Sequence, residues 1–199
     1  MDPTQMDPTQ IDSTQDANVP PADPNVSADE GPAHPLTGMR LPSVALPATD
    51  GAVIDLTRLG GRTVVYIYPR TARPDVPSPA GWDSIPGARG CTPQSLSFRD
   101  RFSELRALGV AQVFGLSTQD TDYQREAVDR LRLPFAILSD AGLRFTGALR
   151  LPTFNVAGMT LLKRMVLIID YGVVSKVFYP VALPDRSAAD VAAWLRASR

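Results

Sequence analysis

The chain has 199 residues, of which 44% are hydrophobic and 21% are charged, and its formal net charge is −1. That length suits one domain of roughly 150 residues with an additional segment, and no stretch approaches the roughly 18 consecutive apolar residues of a membrane span. There is one cysteine, Cys91, and one histidine, His34. These counts exclude an intramolecular disulfide and a metal site built from several Cys or His ligands, so we expect no metal and no cofactor.

Charge is unevenly divided along the chain. Residues 1–39 hold seven acidic residues and no Lys or Arg, so the remainder carries twenty basic and fourteen acidic residues, a net charge of +6. The basic residues are scattered arginines without interleaved aromatic residues. We therefore expect no nucleic-acid partner and no membrane partner.

The N-terminal segment differs in composition from the rest. A five-residue unit repeats over Met1–Gln5, Met6–Gln10 and Ile11–Gln15, and Pro, Asp, Asn and Ala dominate the residues after the third repeat. Such a segment buries too little apolar surface to offset its conformational entropy. We predict a disordered, acidic, proline-rich tail over residues 1–37 and one folded domain over residues 38–199. The segment has no basic residues and no apolar run, so we expect no secretory signal and a cytoplasmic location.

The folded part begins with a predicted hairpin and a buried strand. Leu41–Leu46 and Ala52–Leu56 flank Asp50-Gly51, a dipeptide that favours a tight turn between two strands. Thr63–Tyr68 is an unbroken run of β-branched and aromatic residues, which is typical of a strand buried on both faces.

A long loop follows that strand. Pro69 ends the strand, and residues 70–90 are rich in Pro and Gly, with Trp82 expected to be exposed. A loop of this length inside a compact domain is uncommon and often functional.

Helical and strand patterns alternate through the rest of the chain. Their order is helix, strand, helix, strand, helix, strand, strand, helix, with the last helix capped by Ser187. Together with the first hairpin and strand, this order predicts an α/β sandwich whose central strands are parallel and whose last pair is antiparallel. The predicted ranges are 91–108, Ala111–Leu116, Asp122–Arg132, Phe135–Leu138, Ala141–Leu149, Met165–Ile169, Val173–Tyr179 and a helix from Ser187.

Cys91 stands where the loop becomes an amphipathic helix. Gly90 precedes it, and Pro93 suits the first helical turn. Helix N-termini carry partial positive charge and unpaired N–H groups, which favour the reactive thiolate over the thiol. The simpler alternative is a lone buried thiol with no chemical role. The helix is indicated by apolar residues mostly three or four apart, Leu96, Phe98, Phe102, Leu105 and Leu108.

Four short motifs then carry a family resemblance. They are Tyr68-Pro69; Gly90-Cys91-Thr92-Pro93-Gln94 with Phe98-Arg99-Asp100; Leu133-Pro134-Phe135 with Leu138-Ser139-Asp140; and Arg164 with Leu167, Ile169 and Asp170. Their order and spacing resemble those of peroxiredoxins, particularly the bacterioferritin-comigratory or Q-type subfamily, over about residues 40–197. The resemblance implies a thioredoxin-like sandwich with a mixed central sheet flanked by helices.

The resemblance also implies an activity and three residue roles. Cys91 would be the peroxidatic residue, whose thiolate attacks a hydroperoxide and becomes a sulfenic acid. Arg164 would hold the thiolate charge and the peroxide oxygens, and Gln94 would orient Arg164. Taken alone, Arg164 and Gln94 read as surface residues.

Two departures from the family pattern set the expected mechanism. Ala88 stands where the family has a threonine three residues before the cysteine. Thr71 could supply that hydroxyl, and Thr92 is the nearer but topologically less suitable alternative. Leu96 stands where many Q-type members have a resolving cysteine.

These departures lead to two hypotheses. The first is a one-cysteine peroxidase, a monomer or homodimer, that reduces hydroperoxides and is itself reduced by an external thiol, either a thioredoxin-like protein or a small thiol. The alternative is a non-catalytic thioredoxin-fold redox sensor or binding module. Arg89 could add positive charge near the sulfur in either case.

Overall fold

The structure, a computed structural model, describes residues 35–198. The predicted tail lies outside these residues except for positions 35–37, so its disorder stays a prediction. The strands are β1 Leu46–Pro47, β2 Val53–Ile54, β3 Arg62–Ile67, β4 Val110–Ser117, β5 Ile137–Ser139, β6 Thr153–Val156, β7 Met159–Leu162, β8 Met165–Asp170 and β9 Val173–Phe178. The helices are α1 Cys91–Asp100, α2 Phe102–Ala107, α3 Thr121–Leu131, α4 Arg144–Leu149 and α5 Ser187–Ala197, and short 3₁₀ helices cover Leu56–Arg58, Trp82–Ser84 and Pro184–Arg186.

Five strands form the central sheet, in the order β5-β4-β3-β8-β9. Neighbours β3 and β4 are parallel, as are β4 and β5. The pairs β3–β8 and β8–β9 are antiparallel. The mixed α/β sheet predicted from the order of elements is therefore confirmed, with β1 and β2 forming a separate hairpin.

Alternating side chains of β3 give the sheet two apolar faces. Val64 and Tyr66 point into a core shared with α1, α2 and α5. Val65 and Ile67 point into a core shared with α4 and the β1–β2 hairpin. All four side chains are fully buried, as expected of a strand covered on both faces. The result is a sandwich in which the carboxyl end of β3 leads directly into the long loop.

A hairpin that the sequence patterns did not predict covers part of this loop. Strands β6 and β7 pair antiparallel. Most of their side chains are only partly buried, so the alternation of apolar and polar residues that indicates a strand is weak. Trp82 packs against them with its ring 6.3 Å from that of Phe154. The expectation that Trp82 is exposed is wrong, because this contact leaves the residue only 8% accessible.

Two helical details also differ from expectation. The helix predicted over 91–108 is broken at Arg101, whose φ of −103° and ψ of 10° end α1 before α2 begins. Ser187 does not cap α5, which has no side-chain cap at its own start. Instead, the backbone N–H of Ala188 donates to the hydroxyl of Ser97 on α1, with an N–O distance of 3.1 Å. The start of α5 is thereby fixed to α1.

None of the helices within residues 35–198 is both long enough and apolar enough to cross a membrane.

Candidate active site

Cys91 is the first residue of α1, and a glycine sets its position. Gly90 caps the helix with a φ of +102°, a conformation that L-residues with side chains rarely adopt. A Cβ built on Gly90 would lie 2.6 Å from Cγ of Pro184. The glycine is therefore required both by its backbone conformation and by the close approach of the turn before α5.

The sulfur of Cys91 lies in a nearly closed site and faces a cation. Cys91 is 5% exposed, and its Sγ donates to the carbonyl of Ala88 at 3.6 Å. On the other side, Nη2 of Arg164 donates to Sγ at 3.3 Å. The guanidinium and the N-terminus of α1 therefore both direct positive charge at the sulfur.

Arg164 is held by the end of the long loop. It precedes β8 directly and is 4% exposed. Its Nη2 also donates to the carbonyls of Gly87 and Arg89, at 3.2 and 2.9 Å. These contacts are neutral, and no ion pair within the described part of the chain involves Arg164. Its positive charge is therefore left for the sulfur and for any anionic oxygen bound beside it.

Gln94 connects the guanidinium to α1 and α5. Its side chain is fully buried, and its Oε1 accepts from Nη1 of Arg164 at 2.5 Å. Its Nε2 donates to the hydroxyl of Ser187 at 3.4 Å. The structure therefore brings Cys91, Arg164 and Gln94 together. Ser187, which the sequence marked only as a helix cap, joins them through this contact with Gln94.

Thr71, proposed from the sequence as a source of the hydroxyl, is buried near the carboxyl end of β3. Its backbone N–H and its hydroxyl both donate to Oε1 of Gln119, at 2.9 and 3.2 Å. Within residues 35–198, the hydrogen bonds of the sulfur are with Ala88 and Arg164. The role of Thr71 in the chemistry stays a prediction.

The side chain of Arg89 lines the same cavity as Cys91 but pairs with Asp83 rather than with the sulfur. Its Nη2 lies 2.5 Å from Oδ2 of Asp83, and both side chains are mostly exposed. The hydrogen bond from Arg89 lowers the pKa of the Asp83 carboxyl. The charge of Arg89 is therefore matched by a carboxylate, and its backbone carbonyl is the group that contacts Arg164.

A cavity of about 370 Å³ opens onto Cys91. Thr92 and Ala88 line it beside the sulfur, and Trp82 and Arg70 line it farther along the loop. The sequence patterns did not single out Arg70, although it follows the Tyr68-Pro69 motif directly. That position was the only indication that it could lie near the site.

Two tyrosines, Tyr66 on β3 and Tyr68 just after it, lie in the same buried cluster as Cys91. Burial raises the pKa of the Tyr66 and Tyr68 phenols well above the ordinary value of 10.0. The Tyr66 hydroxyl donates to Oγ of Ser95 at 3.2 Å. Both phenols therefore stay neutral at physiological pH, so the positive charge of Arg164 is not offset by a phenolate. The site can hold a thiolate and stabilise negative charge on an adjoining oxygen.

The comparisons agree with this geometry. The chain is 33% identical over 106 residues to peroxiredoxin Q, chloroplastic, of Oryza sativa subsp. japonica, and the match covers 53% of this chain and 42% of the rice protein. The peroxidoxin BcpB structure from Mycobacterium tuberculosis superposes with a TM-score of 0.67 at 25% identity, covering 83% of this chain and 99% of that one. A Xanthomonas campestris peroxiredoxin Q structure shares the fold, with a TM-score of 0.64, 20% identity and coverage of 81% and 97%.

These findings confirm the predicted fold class and the resemblance to Q-type peroxiredoxins. The chain spans less than half the length of the rice relative that it matches. The family model named Redoxin, however, matches residues 36–193, which is most of the chain and includes every residue of the site. The chain therefore belongs to the Redoxin family.

Proposed function

We propose that this protein is a thiol-dependent peroxidase that reduces hydrogen peroxide and organic hydroperoxides. The Cys91 thiolate attacks the terminal oxygen of the hydroperoxide, and a sulfur–oxygen bond forms as the oxygen–oxygen bond breaks. The leaving oxygen takes up a proton and departs as water or an alcohol, and the sulfur is left as a sulfenic acid. Sulfur is oxidised by two electrons, and the peroxide is reduced by two.

The contact between Nη2 of Arg164 and Sγ of Cys91, at 3.3 Å, carries the proposal. A structural cysteine needs no buried guanidinium, because burying that charge costs free energy unless something negative uses it. In the transition state the negative charge spreads from sulfur to the two peroxide oxygens. A planar cation already in place stabilises that charge without reorganisation.

The sulfenic acid must then be reduced by another molecule. The sequence holds one cysteine, and the position of the usual resolving cysteine is occupied by Leu96. A thiol from a small molecule or from a thioredoxin-like protein would attack the sulfenic sulfur, release water and leave a mixed disulfide. A second thiol would restore Cys91 and leave as the disulfide.

Stoichiometric oxidation tests the first half of this reaction. One equivalent of hydrogen peroxide should convert Cys91 to sulfenate much faster than it oxidises free cysteine, as followed by stopped-flow fluorescence and mass spectrometry. Cys91→Ser should consume no peroxide, because the chain has no second thiol to react. If that variant stays active, or if Cys91 reacts no faster than free cysteine, the proposal is wrong.

A redox sensor is the second candidate, and the single cysteine favours it. A sensor would form the same sulfenate without being recycled by thiols. Peroxide consumption over many equivalents, with a thioredoxin system or with small thiols supplied in turn, separates the two functions. An enzyme shows sustained turnover with at least one reductant, and a sensor stops after one equivalent with all of them.

A further inference from the structure

Arg70 is a buried cation whose side chain contacts a tyrosine. It is 9% exposed, and its Nη2 donates to the hydroxyl of Tyr123 at 2.8 Å. Its guanidinium carbon also lies 5.2 Å from the centre of the Tyr123 ring. Within the described residues no ion pair involves it. A tyrosine ring and hydroxyl offset a buried charge only in part, and a carboxylate or phosphate would complete the set of partners.

Arg73, three residues after Arg70, differs from it in having a carboxylate partner. Arg73 also stacks on Tyr123, at 5.4 Å, but its Nη2 lies 3.0 Å from Oδ2 of Asp75. The charge of Arg73 is therefore matched by a carboxylate, whereas no carboxylate within residues 35–198 pairs with Arg70. Asp120 lines the cleft beside Arg70, but its carboxylate accepts from the backbone N–H of Tyr123 at 2.7 Å and so caps α3.

Arg70 lies where two cavities meet. It lines the cavity of about 370 Å³ that opens onto Cys91. It also lines a neighbouring cleft of about 470 Å³ whose apolar wall includes Met159 and Leu161. A molecule larger than a peroxide whose sulfur reaches Cys91 therefore has room to extend past Arg70 into the second cleft. The peroxide itself needs only the groups that touch the sulfur, and Arg164 supplies these.

We propose that Arg70 binds the carboxylate of a small acidic thiol that reduces the sulfenic acid of Cys91. The inference rests on the proposed function, and it names the class of reductant. The thiol sulfur attacks the sulfenic sulfur, water leaves, and a mixed disulfide forms with the carboxylate held by the guanidinium fork. A second molecule of thiol then releases the oxidised disulfide and regenerates the Cys91 thiol, so two thiols supply the two electrons.

A pair of thiols that differ by one charge tests the assignment. Pre-formed sulfenate is mixed with glutathione or with its monoethyl ester, which lacks one carboxylate. The measured quantity is the second-order rate of reduction by glutathione divided by that by the ester. We expect Arg70→Met to lower this ratio by about tenfold or more, the usual effect of losing a hydrogen bond to a charged group. Arg70→Lys should keep part of the preference, and Arg73→Met, the matched control on the same tyrosine, should keep all of it.

Binding gives a readout that does not depend on turnover. S-methylglutathione cannot react, so calorimetry on the reduced protein measures recognition alone, with Arg70→Met expected to weaken it about tenfold or more. If the wild type forms no sulfenate but binds this probe through Arg70, the proposed function fails and the carboxylate site stands. Equal loss of rate with both thiols, together with unchanged binding, overturns the site.

The carboxylate could instead belong to the peroxide. Oxidation of Cys91 by a fatty-acid hydroperoxide and by its methyl ester is therefore compared in the same variants. If Arg70→Met changes this ratio and leaves the thiol ratio unchanged, Arg70 recognises the substrate rather than the reductant, and the proposal is wrong.

Discussion

Single residues at this site carry positive charge that no carboxylate within residues 35–198 neutralises. The two Nη groups of Arg164 donate to backbone carbonyls, to Gln94 and to the sulfur. Because none of these partners is a carboxylate, the guanidinium keeps its full charge for the thiolate and for the peroxide. Its effect depends on its planar shape as well as on its charge, since it donates in several directions at once.

Replacing Arg164 by Lys separates shape from charge. Lysine keeps the positive charge but cannot contact Gln94, the loop carbonyls and the sulfur together. We expect Arg164→Lys to lower the second-order rate of Cys91 oxidation by more than about tenfold, with an unchanged circular dichroism spectrum. Arg58→Lys is the matched control, because the side chain of Arg58 is 84% exposed. An unaltered rate in Arg164→Lys would remove Arg164 from the reaction.

Gly90 offers a second test at the scale of one residue. Gly90→Ala forces a side chain into the positive-φ region and against Pro184, whereas Gly109→Ala meets only the first penalty, because nothing lies within 4 Å of its added Cβ. We expect both variants to unfold at lower denaturant concentration. The free energy of unfolding should fall by about 1 kcal/mol in Gly109→Ala and by more in Gly90→Ala. Only Gly90→Ala should also slow peroxide oxidation, because it displaces the start of α1. Equal losses of stability would show that the approach of Pro184 does not matter.

The sequence identified some of these residues and could not identify others. Cys91, Arg164 and Gln94 lie in recognisable motifs, so their proximity could be expected before the structure was known. Arg70 could not be assigned in this way, because its environment comes from a tyrosine 53 positions away in the chain. A buried charge that contacts a tyrosine rather than a carboxylate is visible only when the side chains around it are placed.

Elements with a strong apolar signal in the sequence lie close to where that signal predicts them. Strands β3 and β8 are continuous apolar runs and were predicted within a residue or two. Strands β6 and β7 were missed because they are short and half-exposed, so no face stands out. That hairpin is what buries Trp82, and the error about Trp82 therefore results from the missed hairpin. Tertiary contacts of this kind override local composition.

The first turn of α1 determines whether a second cysteine on the helix can form a disulfide with Cys91. In an α-helix, residues five positions apart are separated by about 7.5 Å along the axis, so a cysteine at position 96 cannot reach Cys91 while the turn is intact. We expect peroxide to produce an intramolecular disulfide in Leu96→Cys, which requires this turn to unwind. The variant should then gain dependence on a thioredoxin-like reductant.

Mass spectrometry after non-reducing digestion measures that outcome. Asp100→Cys is the control, since it lies on the same helix nine residues from Cys91 and bridging it would require most of α1 to melt. Detection of separately oxidised thiols in Leu96→Cys, with no bridge, would show that the start of α1 does not open after oxidation. The likeness to Q-type enzymes would then include the fold and the peroxide site but not the resolving step.

On the scale of the whole molecule, one ion pair joins the two central strands at the end of the sheet opposite the site. Arg62 and Asp170 are direct cross-strand partners on β3 and β8, and Nε of Arg62 lies 2.7 Å from Oδ1 of Asp170. The hydrogen bond from Arg62 is the main cause that lowers the pKa of Asp170 from its ordinary value of 3.8. Because the folded pKa lies below the unfolded one, this pair stabilises the fold above about pH 4 and ceases to do so as the pH falls through the folded pKa.

Asp170→Asn tests whether the pair stabilises the whole sheet. We expect it to lower the free energy of unfolding by about 1 kcal/mol at pH 7, since both side chains are partly exposed, and to reduce the loss of stability between about pH 4 and pH 2. Asp75→Asn removes a carboxylate that, within residues 35–198, forms its ion pair with Arg73, two residues away in the same loop, and should change the unfolding free energy little. Urea unfolding of both variants across this pH range provides the measurement. If the two variants lose equal stability and show the same pH profile, the Arg62–Asp170 pair is a local contact and does not hold β3 to β8.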